Sequence, residues 1–453
     1  MEVTAAPRIM SAADIAAARP VLLNPVVPPP GVAPSPTTPR ARARAAMERT
    51  GQWHPQQAMG RRWAMGCVAL EVTQRCNLDC TLCYLSEQSQ SVRDLPLDEV
   101  FRRIDMIRDH YGPNTDVQVT GGDPTLRRQD ELVAIVRRIA ERGMRPALFT
   151  NGIRATRALL AELCDAGLVD VAFHVDLTQQ RRGYLTEESL NAIRIEYIAR
   201  ARGLPLSVMF NTTVFDGNFD QVPDLARFFV AHAADVRLAS FQLGAATGRG
   251  AGGGCTRIVT IASVSQQLRN GVGAPLALRL PVGHSGCNRY TMTLVANGRL
   301  HDLFADDAAV ADIFAATAGT QFDRRRPVRA VAALAGALAR ALARAPGAVI
   351  RLLSWAMRLA WAIRRDLLAA RGRVHKLSFF IHDFMDADCL DCARIDACVF
   401  MVATGEGPIS MCLHNAKRDA FILAPVQTPA GPWDPVAPGR RQPRRTTISE
   451  PTQ

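Results

Sequence analysis

The sequence predicts an α/β protein whose central sheet is parallel. Three observations support this: short apolar runs alternate with longer amphipathic stretches, each connection is long enough for a right-handed crossover, and short polar motifs follow the apolar runs. The predicted strands are residues 67–73, 116–120, 145–150, 169–175, 205–213 and 236–243, and the predicted helices are residues 97–111, 128–142, 155–166, 186–202 and 221–233. Six such units are too few to close a barrel of eight strands.

The charge of the chain is concentrated in one stretch. The net charge is +12, and residues 324–373 contain twelve arginines and a single acid, Asp366, which gives +11. The rest is close to neutral, which argues against a nucleic-acid-binding protein with a generally basic surface. With 453 residues and 48% apolar composition, the chain is predicted to be globular, with room for two or more units around a buried core.

Composition also bears on the compartment. The eleven cysteines are an odd number, and no N-terminal segment has the basic-then-apolar form of a signal peptide. We therefore expect a reducing cytoplasm and thiols that bind metals or clusters rather than disulfides. No uncharged apolar run reaches ~18 residues, so no membrane-spanning helix is expected.

The most informative motif follows the first predicted strand. Cys76, Cys80 and Cys83 have the spacing Cys-x3-Cys-x2-Cys, and three thiolates leave one iron of a four-iron cluster without a protein ligand. They lie at the C-terminal end of a strand, where βα-barrel enzymes place their chemistry. A zinc knuckle or three free thiols would be the alternative, because short cysteine motifs have many uses.

This motif resembles that of the radical S-adenosylmethionine (SAM) superfamily. The resemblance implies a partial (β/α)6 barrel, a 4Fe-4S cluster on Cys76, Cys80 and Cys83, and SAM bound to the open iron through its amino and carboxylate groups. It also implies reductive cleavage of SAM to a 5′-deoxyadenosyl radical by electrons from a flavodoxin or ferredoxin. Leu82 occupies the position where the superfamily usually has an aromatic residue, and Tyr84, after the third cysteine, is a candidate cofactor contact.

A second motif follows the second predicted strand. Residues 121–125 read Gly-Gly-Asp-Pro-Thr, and two glycines allow backbone to approach a ligand closely. Taken alone, the motif could be an ordinary Gly-Pro turn. It resembles the Gly-Gly-Glu-Pro stretch that holds the SAM amino group in the superfamily, with a shorter acid. The predicted SAM contacts in this part of the chain are Gly121, Gly122, Asp123, Pro124, Asn151 and Asp176.

A second group of cysteines lies near the C-terminus. Cys389, Cys392, Cys398 and Cys412 could close a zinc site or hold an auxiliary 4Fe-4S cluster, which we favour, and Cys287 and Cys255 are further candidates. Cys398, the Phe384-Met385-Asp386 segment and the run from Pro408 through Cys412 to Asn415 resemble the class D radical SAM methyltransferases and the archaeal tetraether synthases. Cys389 and Cys392 depart from that resemblance.

Residues 328–371 show strong helical periodicity, divided by Pro346-Gly347 into two amphipathic helices. Arg351, Arg358 and Arg365 form one stripe, opposite a face of Leu, Ile, Val and Ala. One interpretation is a surface hairpin that packs its apolar face on the barrel. We favour docking on an anionic membrane surface, because acids are almost absent from the cationic face.

The predicted domains follow from these patterns. They are a mobile segment rich in Pro, Ala and Arg at 1–60, the radical SAM partial barrel at 61–245, a Gly-rich joint and hairpin at 246–322, the basic amphipathic helices at 323–378, the cysteine-rich extension at 379–424 and a mobile basic tail at 425–453.

The sequence thus predicts a radical SAM enzyme that functionalises an unactivated C–H bond. The substrate is expected to be a lipid chain, the outcome carbon–carbon coupling or methylation, and the location the cytoplasm or the inner face of the membrane. No nucleic-acid partner is expected. The competing hypotheses are a peptide-maturation enzyme, a pterin-dependent methyltransferase of a soluble substrate, and a non-catalytic metal protein docked on the membrane.

Overall fold

A computed structural model describes residues 8–19, 66–250, 259–317, 327–344, 346–429 and 431–436. Within these residues eleven strands form one sheet. The strands are β1 Cys67–Thr73, β2 Asp116–Gly121, β3 Arg145–Thr150, β4 Asp170–His174, β5 Ser207–Val214, β6 Val236–Leu243, β7 Asn288–Ala296, β8 Arg299–Asp302, β9 His375–Asp383, β10 Phe400–Ala403 and β11 Pro408–Ser410.

The order of strands across the sheet is β11-β10-β1-β2-β3-β4-β5-β6-β9-β7-β8. The eight strands from β10 to β9 are parallel, and the edge strands β11, β7 and β8 are antiparallel to their neighbours. The predicted α/β fold with a parallel sheet is confirmed, and its closure as a partial barrel stays a prediction.

The helices are α1 Ala12–Ala17, α2 Leu97–Tyr111, α3 Gln129–Glu141, α4 Arg157–Ala166, α5 Asn191–Ala201, α6 Val222–Ala231, α7 Ile261–Val272, α8 Asp307–Thr317, α9 Pro327–Arg344, α10 Pro346–Ala369, α11 Cys392–Asp396, α12 Met411–Ala416 and α13 Asp419–Ile422. Helix α4 shows how local signals set the ends, because the Thr156 side chain accepts from Leu159 N and Gly167 ends the helix in the left-handed conformation. The crossover helices bury one apolar stripe, as α3 does with Leu132, Ile135, Val136 and Ile139.

All six predicted strands are confirmed, with ends that differ by at most two residues. The strands β9, β10 and β11 were not predicted, although β9 buries alternate residues Leu377, Phe379 and Ile381 in the manner of a strand. The domain boundary predicted at 378 and 379 falls inside β9, whose residues from Ser378 to Asp383 pair with β6.

Parts of both predicted mobile ends are folded, which corrects that expectation. Residues 8–19 pack on the C-terminal region, where Met10 N donates to Leu390 O at 2.7 Å and Lys417 Nζ donates to three carbonyls of residues 15–18. Two short strands, β12 Val426–Thr428 and β13 Gly431–Trp433, pair antiparallel. Arg93 stacks on Trp433. The other residues of 1–60 and 425–453 lie outside the described ranges.

In the region of the predicted helical pair the structure has helices α9 and α10, and their arrangement as a hairpin stays a prediction. An Asn-Gly turn joins β7 to β8, with positive φ at Asn297 and Gly298. Over the described ranges, no helix has the length and apolar character needed to cross a membrane.

Candidate active site

A cavity of about 890 Å³ lies against the parallel strands. Its lining includes side chains from β1, β2, β3, β4, β5, β6 and β9, so the sheet must curve around it. One end is bordered by residues that follow the C-terminal ends of the strands, and we call this the cysteine end. The other end is bordered by the first residues of the strands together with α8 and α9, and we call this the helix end.

The three cysteines of the first motif come together at the cysteine end. Cys76, Cys80 and Cys83 lie on the loop that leaves β1, and all three line the cavity. Burial raises the pKa of the Cys76 and Cys80 thiols, and electrostatic repulsion from Cys83 raises both further. Three such sulfurs at one end of a roomy cavity fit a four-iron cluster with one open iron.

The two glycines that follow β2 are required by a close backbone approach. A Cβ atom at Gly121, where φ is +131°, would lie 1.9 Å from the Thr73 carbonyl oxygen. A Cβ at Gly122 would lie 2.0 Å from the Arg75 carbonyl oxygen. The glycines therefore hold the end of β2 against the cysteine loop, and both also line the cavity.

Asp123 has different surroundings from those expected of a residue that contacts SAM. Its side chain is completely buried and is not part of the cavity wall. The carboxylate accepts hydrogen bonds from Thr125 N at 3.0 Å, from the Thr125 hydroxyl, from Thr150 Oγ1 at 2.8 Å and from Asn151 N at 2.8 Å. Pro124 is also buried and away from the cavity. The direct contacts predicted for these two residues therefore have no geometric support here.

Asp176 repeats the arrangement two strands further along, a likeness that the sequence motifs did not predict. Each acid begins an Asp-x-Thr run and binds the backbone of the following strand, since Asp176 accepts from Thr178 N at 2.9 Å and from Thr213 N at 2.7 Å. His174 Nε2 lies 2.7 Å from Asp176 Oδ2, the oxygen that also accepts from Thr213 N. Burial would raise the pKa of Asp176, but His174 and these hydrogen bonds lower it to about 2. Asp176 is buried behind the cavity wall, which His174 lines.

Asn151 is the predicted contact that lies beside the cysteines. It lines the cavity, and its Nδ2 donates to Asn77 Oδ1 at 2.7 Å and lies 3.9 Å from Cys76 Sγ. Its backbone N–H is bound by Asp123. Asp123 thus acts on the site through the position of Asn151.

Tyr84 and a buried ion pair connect the cysteine loop to the C-terminal region. The Tyr84 hydroxyl donates to Gly121 O at 2.6 Å, and the Arg418 guanidinium lies 4.6 Å from the centre of its ring. Arg418 Nη2 lies 2.8 Å from Glu71 Oε1. Burial would raise the pKa of Glu71, but Arg418 and His414 lower it to about 2. Tyr84, Glu71 and Arg418 all line the cavity.

Residues 248–250 form a packed turn rather than the predicted flexible joint. A Cβ at Gly248 would lie 2.3 Å from Tyr84 O, and one at Gly250 would lie 3.1 Å from Leu82 Cα. Between them, Arg249 donates from Nη2 to Cys83 Sγ at 3.2 Å and from Nη1 to Asp79 Oδ1 at 2.7 Å. Arg249 was not predicted as a site residue, because nothing local shows that this turn covers the cysteine loop.

The second cysteine group differs from the predicted set. Cys287, Cys398 and Cys412 line one small space with His382 and Arg394, and Arg394 Nε lies 3.3 Å from Cys287 Sγ. Cys389 and Cys392 do not line it, and Cys255 lies outside the described residues. The space measures about 10 Å³, room for roughly one water molecule, so a four-iron cube does not fit between these side chains as they stand.

In the part of the chain that the structure describes, no three His, Cys, Asp or Glu side chains are spaced to hold a single metal ion.

Comparison with known proteins supports the first site. Residues 70–229 match the model of the radical SAM superfamily. A GTP 3′,8-cyclase of Streptomyces coelicolor is 36% identical over 178 residues, which cover 38% of this chain and 51% of that protein. A PqqA peptide cyclase of Bradyrhizobium diazoefficiens is 30% identical over 174 residues, which cover 37% of this chain and 44% of that protein. The chain thus spans about half the length of these relatives or less.

Among solved structures, Streptococcus suis SuiB bound to S-adenosylmethionine aligns with a TM-score of 0.35 and 13% identity, over 54% of this chain and 52% of that one. The assignment therefore depends on the sequence matches and on the cysteine end of the cavity. Residues 70–229 therefore match the radical SAM superfamily, whose cofactors are a 4Fe-4S cluster and SAM.

Proposed function

We propose that this protein is a radical SAM enzyme that functionalises an unactivated C–H bond of a lipid chain. The observation that carries the proposal is the cavity itself, which has Cys76, Cys80 and Cys83 at one end and continues between apolar side chains to the other. The similarity to the superfamily supports radical chemistry at the cysteine end, and the apolar wall toward the helix end supports a lipid substrate.

The residues at the cysteine end have distinct tasks. Cys76, Cys80 and Cys83 would hold the cluster, and Gly121 with Gly122 leaves backbone rather than side chains facing it. When bound, the cluster and SAM together supply a 5′-deoxyadenosyl radical that removes a hydrogen atom from carbon. Asn151, fixed by Asp123, presents its amide beside Cys76, where a polar part of SAM would be bound.

Arg249 would tune the same site. Hydrogen bonds to cluster sulfurs help to set the reduction potential. A guanidinium beside Cys83 stabilises the more negative, reduced state, so Arg249 favours acceptance of an electron from a flavodoxin or ferredoxin.

The helical pair supports a lipid substrate and a membrane surface as partner. Large apolar side chains on α9 and α10 are exposed, namely Val328, Val331, Ile350, Leu353, Met357, Trp361 and Leu368. Exposed apolar stripes of this kind mark interaction sites. Exposed arginines flank them, and Arg364 stacks on Trp361 at 3.5 Å from its ring centre, so an anionic lipid surface complements the patch.

The charge of this surface is lower than the sequence suggests. Arg351 pairs with Asp312 at 2.8 Å, and Arg358 pairs with Asp306. Both acids precede the helical pair in the sequence, so two of the three arginines of the predicted cationic stripe are locally neutralised. The apolar stripe, rather than the arginine stripe, therefore dominates the proposed membrane contact.

An auxiliary cluster and the bond formed remain open proposals. If an auxiliary cluster is present, Cys287, Cys398 and Cys412 are its sulfur donors, and their side chains must move apart to admit it. Iron and sulfide analysis of the Cys398→Ala protein tests this, since iron should fall by about one cluster's content. Carbon–carbon coupling and methylation are both compatible with the same radical step.

Peptide maturation is the second candidate, because one relative is a PqqA peptide cyclase. An open cavity with polar walls would favour a peptide, whereas apolar walls favour a hydrocarbon chain. The sequence also leaves open pterin-dependent methyl transfer to a soluble substrate and a non-catalytic metal protein.

Anaerobic reconstitution tests the enzymatic proposal. The protein, loaded with iron and sulfide and given SAM and dithionite, should release 5′-deoxyadenosine, measured by liquid chromatography. Cys80→Ala should abolish the release, whereas Cys164→Ala, which changes a cysteine of helix α4, should leave it unchanged. Equal release by wild type and Cys80→Ala, or none from either, would refute the enzymatic proposal.

A further inference from the structure

The lower half of the cavity is lined mainly by apolar side chains, and we call it the bore. Its wall includes Ala69, Gln118, Ala147, Phe149, Ala172 and Met209. We propose that the bore takes a single hydrocarbon chain, which enters past helix α9 and extends toward the cysteines. This inference rests on the proposed function and specifies how its substrate is bound.

Alanines keep the bore open. In the sheet register, Ala69 lies opposite Gln118 and Gln118 lies opposite Ala147, so two alanines flank one longer side chain at the same level. On the next two strands, Ala172 lies opposite Met209. Bulky branched residues fill the interior of closed βα-barrels at comparable positions. Three alanines here leave space where a core would otherwise be packed.

The bore is long enough for an extended chain. The whole cavity runs beside β5 from Ser207 at the helix end to Thr213 at the cysteine end, roughly 20 Å at about 3.3 Å per residue, and the bore is its lower half. Most polar groups of a peptide or a pterin would lose their water against Ala, Phe and Met and gain few partners there, which is costly. A chain of methylene groups loses no hydrogen bonds there.

The helix end of the bore is closed by elements of the helical pair and the helix before it. Ile313 and Thr317 of α8 and Leu334 of α9 line the cavity. The same helix α9 exposes Val328 and Val331 on its outer surface. One helix therefore separates the bore from the apolar surface that we propose contacts the membrane, which makes α9 the shortest route for a lipid chain.

The position of the pair agrees with entry from this side. Helix α10 leads directly into β9, so the pair lies at the strand N-termini, opposite the cysteines. The rim there is polar, with Asp170, Ser207, Arg237 and Lys376 on the wall. A polar head group would remain at this rim while its chain extends inward.

The first test fills the bore. Ala147→Leu and Ala172→Leu each add a branched side chain to the wall, and Ala158→Leu makes the same change on the exposed outer face of α4. Fluorescence titration with dansylaminoundecanoic acid should show a dissociation constant raised roughly tenfold or more by either bore variant and unchanged by the control. Release of 5′-deoxyadenosine without added lipid should stay near the wild-type rate in the Ala158→Leu control.

The readouts separate the two proposals. If the wild-type protein releases no 5′-deoxyadenosine, the enzymatic proposal is wrong. If both bore variants fold and bind the probe as tightly as wild type, the proposal that the bore takes a hydrocarbon chain is wrong. Leu353→Glu on the exposed face of α10 should leave affinity for the monomeric probe intact. If it abolishes probe binding instead, the probe binds the outer surface and the inference is wrong.

A second test needs no variant and so does not depend on folding. Straight-chain fatty acids of increasing length compete with the probe on the wild-type protein. Each added methylene should tighten binding by roughly fourfold until the chain fills the bore, after which the gain should stop. A series without dependence on length would overturn the proposal.

Discussion

The two ends of the cavity differ in how their side chains are held. At the cysteine end, Asp123, Asp176 and Glu71 are buried acids whose oxygens are occupied by hydrogen bonds or an ion pair. Toward the helix end, the bore wall is mainly alanine, phenylalanine and methionine, and it ends at a polar rim that helices α8 and α9 help to close. A rigid, hydrogen-bonded polar scaffold suits a cofactor of constant shape. An apolar wall suits a hydrocarbon chain that binds and dissociates.

From this difference we expect some substitutions to change stability and others to change only the binding of substrate. Substitutions in the polar scaffold remove partners from buried charges and should unfold or loosen the cysteine end. Substitutions at the helix end alter volume and surface, and should change lipid binding while the fold persists. The largest effects are therefore expected in the polar scaffold and the smallest on the membrane-facing surface.

Arg418→Met should be the most destabilising change. It leaves the Glu71 carboxylate buried without its cation, and breaking such a pair costs about 3–5 kcal/mol. Arg202→Met, which removes the exposed partner of Asp235, should cost less than about 1 kcal/mol. Urea unfolding of the two variants measures both costs, and equal values would contradict the distinction between scaffold and surface.

The same pair predicts acid sensitivity. The pKa of Glu71 is lowered from 4.5 to about 2 in the folded protein, so its contribution is complete above its unfolded pKa and is lost as pH falls toward 2. A shift of this size corresponds to about 3 kcal/mol. Unfolding free energy measured against pH should fall less steeply below pH 5 in Glu71→Gln than in wild type. Parallel curves would show that Glu71 is not the titrating group.

Asp123→Asn should cost about 1–3 kcal/mol, because an amide cannot accept all the hydrogen bonds of the carboxylate. It should also weaken SAM binding by displacing Asn151. The corresponding variant Asp176→Asn should lower the free energy of unfolding by a similar amount. It should weaken SAM binding less, because its partner Thr213 lies on β5, two strands away from Asn151. Asp130→Asn, at an exposed carboxylate, is the control. Calorimetric titration with SAM measures the three affinities. Equal weakening in Asp123→Asn and Asp176→Asn would contradict the role given to Asp123.

Arg249→Gln should lower the reduction potential of the cluster, because Cys83 loses a cationic donor. Arg249→Lys keeps the charge and should shift it less. Redox titration followed by electron paramagnetic resonance gives both potentials. An unchanged potential in the glutamine variant would remove Arg249 from the site.

Arg365→Gln should have the smallest effect, on the membrane-facing side. An exposed arginine near an anionic surface contributes about 1 kcal/mol, so affinity for anionic vesicles should fall about fivefold while stability is unchanged. Sedimentation with anionic and neutral vesicles measures this. Wild-type binding that does not distinguish the two vesicles would exclude an electrostatic contribution to docking.

Local signals were sufficient for much of the fold. The strands β1 to β6 were predicted because their apolar runs and the polar residues after them are contiguous in the sequence. Strand β9 was missed because it follows directly on a strong helical pattern, and its alternation of Leu377, Phe379 and Ile381 is the signal that could have identified it.

The site was predictable where its residues are neighbours in sequence, as the first cysteine motif shows. The second cysteine group was not, since Cys287 lies beside β7 and β9, whereas Cys398 and Cys412 lie beside β10 and β11. The two groups meet only because β9 approaches β10, where the His382 and Phe400 rings are 4.4 Å apart. Arg249 and Arg418 contact the cysteine end from segments that are distant in sequence, so no local sequence pattern predicts these contacts. The Asp123 side chain was expected to face SAM, but nothing in the sequence shows that its hydrogen-bonding capacity is used by Thr125, Thr150 and Asn151.

Transfer of deuterium from a lipid to 5′-deoxyadenosine tests the central claim most directly. The reconstituted protein is supplied with SAM, dithionite and perdeuterated lipids from cells grown in heavy water. Mass spectrometry then measures the deuterium content of the 5′-deoxyadenosine. Wild-type protein should release 5′-deoxyadenosine that carries deuterium, and Ala147→Leu should release less of it. Abundant 5′-deoxyadenosine that carries none would contradict a lipid chain as the source of the abstracted hydrogen.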